Sequence, residues 1–212
     1  MNPTISACAQ ALNLPLTPKQ TELLERYASL VWEKKEMLNL TSVEDMQEIF
    51  ERHICDGLQA AAYIYSQTAS RPAAVADAGS GAGYIGITCA VALPQVTVTL
   101  VESLQRRCAF MNWAVMTLGL KNVKVANKRL GQGGSFSFDF VTERAMGKLT
   151  DILPLCAPAV APGGTFIAYQ GERPDEASAP LLSRLGLAAK EPIAYRLSDG
   201  KTRFLALFTK GE

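Results

Sequence analysis

Apolar positions recur at helical spacing over the first third of the chain. A helix start is marked by Thr17-Pro18-Lys19-Gln20, which combines a hydroxyl cap, proline at the first helical position and glutamine three residues after the cap. Apolar side chains then repeat every three or four positions up to Leu38, with charged residues between them. A second helix is predicted after Ser42 and continues to about Tyr65. The pattern therefore predicts a helical extension over residues 1–66.

The rest of the chain changes to short apolar runs that alternate with helical segments, a pattern typical of βαβ units on a parallel sheet. Five strands are predicted at 73–78, 96–101, 123–126, 138–142 and 164–169, with helices at 84–93, 103–118, 147–159 and 175–186. Two further strands, 190–197 and 203–209, are joined by Ser198-Asp199-Gly200-Lys201, whose Asp-Gly pair favours a hairpin. The predicted fold is α/β, with a mostly parallel seven-stranded sheet over 73–212 that ends in an antiparallel hairpin.

Composition and charge limit the function classes. Of the 212 residues, 48% are hydrophobic and 19% are charged, as in a globular protein with a sizeable core. The 21 basic and 20 acidic side chains nearly balance, so the overall charge points neither to nucleic acid nor to a membrane.

Five scattered cysteines without C-x-x-C spacing favour reduced thiols over a disulfide frame or a zinc site. With no leader-like start and no apolar run of about 18 residues, we expect a cytoplasmic monomer without metal or membrane contact.

A glycine-rich loop after the first predicted strand carries the strongest chemical signal. Residues Asp77 to Gly86 read D-A-G-S-G-A-G-Y-I-G, which contains G-x-G-x-x-G and also an acidic residue followed by G-x-G-x-G. Glycines here let the backbone approach a nucleotide at the carboxyl edge of a sheet. Glu102 ends the second predicted strand, where a carboxylate can accept hydrogen bonds from both ribose hydroxyls. Both NAD and S-adenosylmethionine fit this arrangement.

The two cofactors differ in what the rest of the sheet must provide. A dinucleotide needs a second βαβαβ half for its nicotinamide side, whereas this chain ends in a hairpin. A seven-stranded sheet with a reversed terminal strand looks like a class I, Rossmann-like methyltransferase, and Asp77 before the first glycine matches the loop of that class. We therefore predict an S-adenosylmethionine-dependent methyltransferase. A dehydrogenase and a Rossmann-like domain that has lost its ligand are the alternatives.

Three further stretches flank the loop in an order that resembles one family. They are N-L-T-S (Asn39 to Ser42), E-R-H-I-C-D-G-L (Glu51 to Leu58) and L-V-E-S-L-Q-R-R-C-A-F (Leu100 to Phe110). With the loop, they resemble the RsmG family, also called GidB, over about residues 20–170. Its members are bacterial methyltransferases that modify N7 of a guanine in the 530 loop of 16S ribosomal RNA. The resemblance implies this reaction, at position 527, with 16S rRNA in the 30S subunit or an assembly precursor as the partner.

The resemblance also implies which residues bind the cofactor. Gly79 should lie against its methionine part, and Glu102 should hold its ribose. Leu130 and Gly131 align with a pair at the end of the third strand that is usually a small apolar residue followed by glutamate, so Gly131 lacks the usual carboxylate. Gln170 stands where many relatives have lysine. The predicted cofactor-binding residues are Asp77, Gly79, Gly81, Gly83, Tyr84, Glu102, Leu130, Gly131 and Arg144.

Methylation of guanine N7 requires few catalytic groups from a protein. N7 carries a lone pair and no proton, so its methylation requires positioning but no general base, and no catalytic residue is predicted. An extruded guanine needs a stacking surface and cations for its phosphates. The predicted RNA-binding cations are Arg52, Arg106, Arg107, Lys124, Lys128 and Arg129. A methyltransferase acting on a small molecule or a protein, and a non-catalytic RNA-associated module, stay open as alternatives.

Some polar residues before the loop have two interpretations each. His53, the single histidine, is either a base or substrate contact or a hydrogen-bonded packing residue. Arg52 and Asp56 either flank the mouth of the cofactor pocket or form an i,i+4 ion pair on an exposed helix face. Thr41 is either part of a helix cap or part of a loop near the cofactor pocket.

Overall fold

A computed structural model describes residues 2–130, 137–174 and 179–211 of the protein. The first part of the chain is helical, as predicted, and its segments cover one face of a sheet. The helices are α1 (Pro3–Ala11), α2 (Pro18–Leu38), α3 (Met46–Ile49), a π-helical segment (Phe50–Ile54) and α4 (Cys55–Thr68). The division into an extension over 1–66 and a cofactor domain over 73–212 stays a prediction.

The predicted start of α2 is confirmed by its capping contacts. Thr17 Oγ1 accepts the Gln20 N–H at 3.3 Å, and Gln20 Oε1 accepts the Thr17 N–H at 2.8 Å, which satisfies two backbone donors that a helix start leaves unpaired. The same glutamine donates to the carbonyls of Val91 and Ala92, each at 2.9 Å. The cap therefore also anchors α2 to the end of the helix that follows the glycine-rich loop.

The π-helical segment changes which side chains face the interior. Its wider turn rotates the residues that follow relative to an ideal α-helix. Asp56 is only 5% exposed, while Arg52 stays exposed and pairs with Glu48 at 3.1 Å. Of the two interpretations of Arg52 and Asp56, the exposed i,i+4 ion pair is therefore wrong, because the two side chains do not share a solvated face.

The sheet contains eight strands in the described residues, with the order β3-β2-β1-β4-β5-β8-β6, while β7 also pairs with β8. The strands are β1 (Ala74–Ala78), β2 (Thr97–Glu102), β3 (Val123–Asn127), β4 (Phe138–Glu143), β5 (Val160–Gln170), β6 (Leu187–Ala189), β7 (Ile193–Arg196) and β8 (Thr202–Lys210). The helices between them are α5 (Tyr84–Ala92), α6 (Gln105–Leu118), α7 (Leu149–Cys156), a 3₁₀ turn (Ala157–Ala159) and α8 (Ala179–Leu185).

The predicted fold class is confirmed, with one correction to the number of strands. Strands β1 to β5 are parallel, and β8 runs antiparallel to β5. Beyond β8, the seventh position of the sheet is divided between β6, which pairs with one end of β8, and β7, which pairs with the other. The prediction missed β6 because its three residues are too few to show an alternating pattern.

The two faces of the sheet bury separate clusters. Val75 of β1 contributes to the cluster beneath α1, α2, α4, α5 and α6, whereas Ala76 and Ala78 contribute to the cluster beneath α7 and α8. Strand order reverses between β1 and β4, and in such sheets a ligand crevice lies at the carboxyl ends of the strands on either side of that point. The fold therefore places the glycine loop at this crevice.

Gly86 lies where helix α5 approaches the sheet. A Cβ atom at this position would lie 2.2 Å from Leu100 Cδ2 and 3.0 Å from Asp77 Cβ. We expect Gly86→Ala to lower the free energy of unfolding by about 2 kcal/mol, because α5 must move away from the sheet. Urea unfolding measures the change. Gly171→Ala is the matched control, since its Cβ would meet nothing within 4 Å, and equal losses in the two variants would contradict the packing argument.

Candidate functional site

The glycine loop turns the chain between β1 and α5. Gly79, Gly81 and Gly83 have φ angles of 61°, 61° and 88°, in the left-handed region where a side chain is strained. The Gly83 N–H donates to the Ser80 carbonyl at 2.7 Å, and the Gly83 carbonyl accepts the Ile87 N–H at 2.8 Å. The loop thus needs glycine for its conformation, and it leads directly into the first turn of α5.

Asp77 supports this loop from below. Its carboxylate is 2% exposed, and it accepts the Gly86 N–H and the Thr142 hydroxyl, each at 3.0 Å. Burial raises its pKa to about 6. These contacts join β1, β4 and α5 through one side chain. They give Asp77 a structural role, and its predicted contact with the cofactor stays a prediction.

A cleft of about 530 Å³ runs from the glycine loop towards the end of β3. Glu102, at the end of β2, is 5% exposed, and its two carboxylate oxygens accept the N–H groups of Gly81 at 3.0 Å and Leu104 at 2.8 Å. Arg107 lies 3.7 Å from the same carboxylate. The cleft is lined by Gly79, Val101, Glu102, Ser103, Leu104, Arg107, Lys128, Arg129, Leu130, Ala145, Met146 and Leu155. We call it the β2–β3 cleft.

A second cleft, of about 340 Å³, lies on the other side of the loop. We call it the His53 cleft, and it shares Gly79, Arg107 and Ala145 with the β2–β3 cleft. Its other lining residues are Leu40, Thr41, Ser42, His53, Asp77, Ser80, Gly81, Ala82, Tyr84, Ile85 and Arg144. The two clefts therefore adjoin along the backbone of the glycine loop.

Most predicted cofactor residues come together around these clefts. Asp77, Gly79, Gly81, Tyr84, Glu102, Leu130 and Arg144 all line one or the other. Gly83 lies at the start of α5, where a Cβ would lie 2.9 Å from Ile87 Cδ1, and it lines neither cleft. Gly131 lies outside the described residues. Gln170, at the end of β5, donates from its amide to the Tyr169 carbonyl at 2.9 Å.

Arg144 connects the walls of the His53 cleft. Its Nη1 atom donates to Asp56 Oδ2 at 2.7 Å and to the Arg52 carbonyl at 3.3 Å, while its Nη2 atom lies 3.4 Å from His53 Nδ1. The guanidinium also lies over the Tyr84 ring, 5.4 Å from its centroid. One arginine thus ties the end of β4 to the π-helical segment and to α5.

Asp56 links this arginine to the C-terminal hairpin. Its Oδ1 atom accepts the Tyr195 hydroxyl at 2.8 Å, and its backbone carbonyl accepts the Tyr169 hydroxyl at 2.7 Å. Neither contact could be predicted from the sequence, because Tyr195 and Tyr169 lie 139 and 113 residues from Asp56 and no local pattern marks them. The buried aspartate therefore contacts three distant parts of the chain, at Arg144, Tyr169 and Tyr195.

His53 forms part of the cleft wall as a packed, hydrogen-bonded side chain. Its ring stacks on Tyr84 with centroids 4.0 Å apart and an interplanar angle of 24°. Its Nε2 atom lies 2.8 Å from Thr41 Oγ1. Burial, together with the positive charge of Arg144, lowers its pKa to about 3, so the ring is neutral at physiological pH. The geometry supports the interpretation of His53 as a hydrogen-bonded packing residue. It also places Thr41 in the wall of the cleft, in agreement with the interpretation of Thr41 as part of a loop near the pocket.

Glu143 is a buried carboxyl beside the site that the sequence reasoning did not single out. It is 1% exposed, one of its oxygens accepts the Met146 N–H, and its Oε2 atom has no hydrogen-bond partner in the described part of the chain. Burial raises its pKa to about 7. The folded protein therefore favours the protonated form of this group.

This burial predicts that the ligand-free protein loses stability as the pH rises. A folded pKa above the unfolded value means that the folded state binds the proton more tightly, so the contribution is complete at low pH and is lost as pH rises through 7. We expect a loss of about 3 kcal/mol from Glu143 between about pH 4.5 and pH 8, and Asp77 acts in the same direction. Urea unfolding across this range tests it: Glu143→Gln should flatten the profile, and an unchanged slope would contradict the assignment.

The predicted RNA-binding cations separate into three groups. Arg107, Lys128 and Arg129 line the β2–β3 cleft, and Arg106 is exposed next to Arg107 at the start of α6. Lys124 is exposed within β3, in register with Thr99 of β2, and so lies back from the carboxyl edge. Arg52 borders the other side of the site, where its side chain pairs with Glu48. The carboxyl edge thus carries most of these charges.

The fold and the site define a class of protein. A parallel sheet with an antiparallel β8, a glycine loop after β1 and an acid at the end of β2 is the arrangement of a class I, Rossmann-like methyltransferase. The solved structure of magnesium protoporphyrin IX methyltransferase from Synechocystis PCC 6803 with bound SAM has a similar fold, with a TM-score of 0.65 and 12% identity over 92% of this chain and 99% of that one.

Sequence comparisons narrow this class to one family. The model of the family described as rRNA small subunit methyltransferase G matches residues 20–198. A protein named ribosomal RNA small subunit methyltransferase G from Methylibium petroleiphilum is 32% identical over 203 residues, which cover 96% of this chain and 92% of that protein. One of the same name from Leuconostoc citreum is 30% identical and covers 98% and 91%. The chain belongs to the rRNA small subunit methyltransferase G family.

Family membership decides between the alternatives left open for the cofactor. The resemblance to the RsmG family is confirmed, and so are the predictions of a methyltransferase and of S-adenosylmethionine as its cofactor.

No helix within the described ranges is long and apolar enough to span a membrane. Within the same ranges, no group of histidine, cysteine, aspartate or glutamate side chains could hold a metal ion.

Proposed function

We propose that the protein methylates N7 of a guanine in the 530 loop of 16S rRNA, at position 527, in the cytoplasm. One observation carries the proposal beyond family membership. The His53 cleft adjoins the predicted cofactor cleft, and its walls offer an aromatic pair, a hydroxyl and a guanidinium, while its histidine is held neutral. Such walls suit a nucleophile that has no proton to lose, and guanine N7 is one.

The residues of the β2–β3 cleft fit S-adenosylmethionine. The open backbone at Gly79 and Gly81 allows close approach of its methionine part, and the buried carboxylate of Glu102 can accept from the ribose hydroxyls in place of its present backbone donors. Leu130 supplies an apolar surface for the adenine. When bound, the cofactor supplies a methyl group on a positively charged sulfur.

The chain's own residues then have positioning tasks. The stacked rings of His53 and Tyr84 and the guanidinium of Arg144 form a preorganised wall, so little motion is needed to orient the base. The ion pair of Arg144 with Asp56 holds that wall in place. Exclusion of water from the cleft favours a reaction in which positive charge spreads from sulfur to the base.

Cations at the mouth of the β2–β3 cleft supply contacts for RNA phosphates. We expect Lys128→Glu combined with Arg129→Glu to raise the KM for rRNA by about tenfold or more at physiological salt, since charge reversal replaces attraction with repulsion. Because both residues line the cleft proposed for the cofactor, calorimetry with S-adenosylmethionine on the same variant separates a loss of RNA binding from a loss of cofactor binding. Lys19→Glu with Arg26→Glu makes the same change in charge on the exposed surface of α2. If the double variant of Lys128 and Arg129 kept its full activity at raised salt, these two residues would not contact the RNA phosphates.

Transfer of labelled methyl groups tests the proposed function. The substrates are 30S subunits from a strain that lacks this modification, protein-free 16S rRNA and 50S subunits. We expect label in 16S rRNA and none in 50S subunits, and the first two substrates show whether the assembled particle is required. Cofactor binding without transfer to any RNA would favour a small-molecule or protein substrate. Failure to bind the cofactor would favour a non-catalytic module.

A further inference from the structure

A chain of polar contacts begins at the buried carboxylate of Asp56 and ends at Thr41 in the wall of the His53 cleft. Asp56 accepts from Arg144 Nη1 at 2.7 Å. Nη2 of the same guanidinium faces His53 Nδ1 at 3.4 Å. The other ring nitrogen, Nε2, lies 2.8 Å from Thr41 Oγ1. Four side chains therefore form one continuous relay.

The chemistry of these groups fixes where the protons lie. A guanidinium has only donors, so in its contact with Arg144 the Nδ1 atom of His53 is the acceptor. This contact competes with one to the Arg52 backbone, which would need a proton on the ring nitrogen that faces it. A neutral imidazole carries its one proton on the other nitrogen, and His53 Nε2 therefore donates to Thr41 Oγ1. The tautomer of the ring is set by the arginine, and the arginine is held by Asp56.

Thr41 is then left with a single free function. Its Oγ1 atom also accepts the Val43 N–H at 3.3 Å, so both acceptor sites of the hydroxyl are used. The Thr41 hydroxyl also lies beside the buried Tyr84 hydroxyl, where as a hydrogen-bond partner it opposes the rise that burial causes in the pKa of the tyrosine. The two hydroxyls are not aligned as a hydrogen bond, so a well-placed acceptor in the cleft competes with Tyr84 for the Thr41 proton. Thr41 lines the His53 cleft, and its remaining O–H is therefore a donor available to a group bound there.

We propose that the Thr41 hydroxyl donates to O6 of the target guanine and that Asp56, Arg144 and His53 are positioning residues that fix its direction. This inference rests on the proposed function. Guanine presents N7 and O6 side by side as acceptors, whereas adenine presents N7 beside an amino donor. A hydroxyl held as a donor can bind guanine O6 and leaves N7 free for the methyl group. If adenine entered, the same hydroxyl would face the amino group, which is also a donor. Thr41 thus selects the base.

The first test concerns the relay and needs no RNA. Because His53 is the only histidine in the chain, nitrogen NMR of the whole protein reports its tautomer without assignment. We expect a neutral ring protonated on Nε2, and we expect Asp56→Asn to introduce the other tautomer as Arg144 loses its charged partner. A ring protonated on Nδ1, or a mixture of tautomers in the unmodified protein, would overturn the relay.

The second test concerns base selection. Thr41→Val removes the hydroxyl at nearly constant shape, and Thr41→Ser retains it. The substrates are 30S particles reconstituted with guanine or with 2-aminopurine at the target position, since 2-aminopurine keeps N7 and lacks O6. We expect Thr41→Val to lower kcat/KM on guanine by about tenfold, the effect of one lost hydrogen bond. Thr41→Ser should retain activity, and on 2-aminopurine the unmodified protein and Thr41→Val should be equally active.

The remaining outcomes each have a definite meaning. Equal activity of Thr41→Val and the unmodified protein on guanine overturns the assignment of O6. A weaker affinity of Thr41→Val for S-adenosylmethionine in calorimetry also overturns it, because the hydroxyl would then serve the cofactor. If the unmodified protein does not methylate guanine particles at all, the proposed function itself fails. Melting temperatures identify any variant that is misfolded, and Thr41→Ser then decides alone, because its inactivity would contradict the proposal.

Discussion

Glu102→Ala is expected to weaken S-adenosylmethionine binding by about 100-fold. The carboxylate is buried at the end of β2 beside the glycine loop, where it can accept from both ribose hydroxyls. Hydrogen bonds to a charged acceptor contribute about 1.5–3 kcal/mol each, and the loss of close to 3 kcal/mol corresponds to this change in affinity. Isothermal titration calorimetry of the purified protein measures it directly.

Two further variants sharpen that experiment. Glu102→Gln retains an acceptor oxygen but not the charge, so its affinity should fall between those of the unmodified protein and Glu102→Ala. Glu191→Ala removes an exposed glutamate that pairs with Arg173 and lines neither cleft, and it should bind the cofactor normally. An affinity of Glu102→Ala within about threefold of the unmodified protein would contradict a ribose contact.

Asp56→Ala is expected to lower the free energy of unfolding by about 3 kcal/mol. Removal of one partner of a buried ion pair leaves the other charge without compensation, which costs about 3–5 kcal/mol in buried sites. The lower end applies because the Arg144 side chain retains 22% exposure. The Tyr195 hydroxyl loses its acceptor in the same variant. Urea unfolding at neutral pH gives the value.

The contribution of the charge can be separated from that of the hydrogen bonds. Asp56→Asn keeps an acceptor for Arg144 but removes the charge, so we expect a smaller loss than for Asp56→Ala. Glu48→Ala breaks the exposed pair with Arg52 and should cost less than about 1 kcal/mol. If Asp56→Ala were no more destabilising than Glu48→Ala, the buried pair would not hold the cleft together.

The parts of the fold that could be predicted from the sequence are those set by local rules. The capping box at Thr17 and the hairpin turn at Gly200, with its φ of 71°, depend on neighbouring residues only. The glycine loop and Glu102 are similar, because a βαβ unit places the ends of consecutive parallel strands at one edge of the sheet. Local pattern and topology together were therefore enough to predict that these residues lie together at one edge of the sheet.

The contacts that could not be predicted join residues distant in the chain. The pattern of its own helix predicts that Asp56 is exposed. In the structure it is buried against Arg144 and Tyr195, which come from the later part of the chain. Glu143 is the last residue of β4, and no sequence pattern marks it as buried. Both residues have neighbours that are distant in the chain, since Asp56 contacts Arg144 and Glu143 lies in register with Ala78 of β1.

These two kinds of residue also divide the work of the site. Locally determined residues such as Gly79 and Glu102 shape the β2–β3 cleft, where the cofactor is proposed to bind. The long-range cluster around Arg144 shapes the adjoining cleft, where the substrate base is proposed to bind. The orientation of Thr41 depends on this second group, so the base-selecting part of the site depends on the complete tertiary fold.

The position of the methyl group on 16S rRNA tests the central claim most directly. Modified 30S subunits are prepared with the purified protein and labelled S-adenosylmethionine, and the rRNA is cleaved by borohydride and aniline, which break the chain at 7-methylguanosine. The account predicts one enzyme-dependent break, in the 530 loop, and a digest that contains labelled 7-methylguanosine. Label in any other nucleoside, or a break elsewhere in the rRNA, would contradict it.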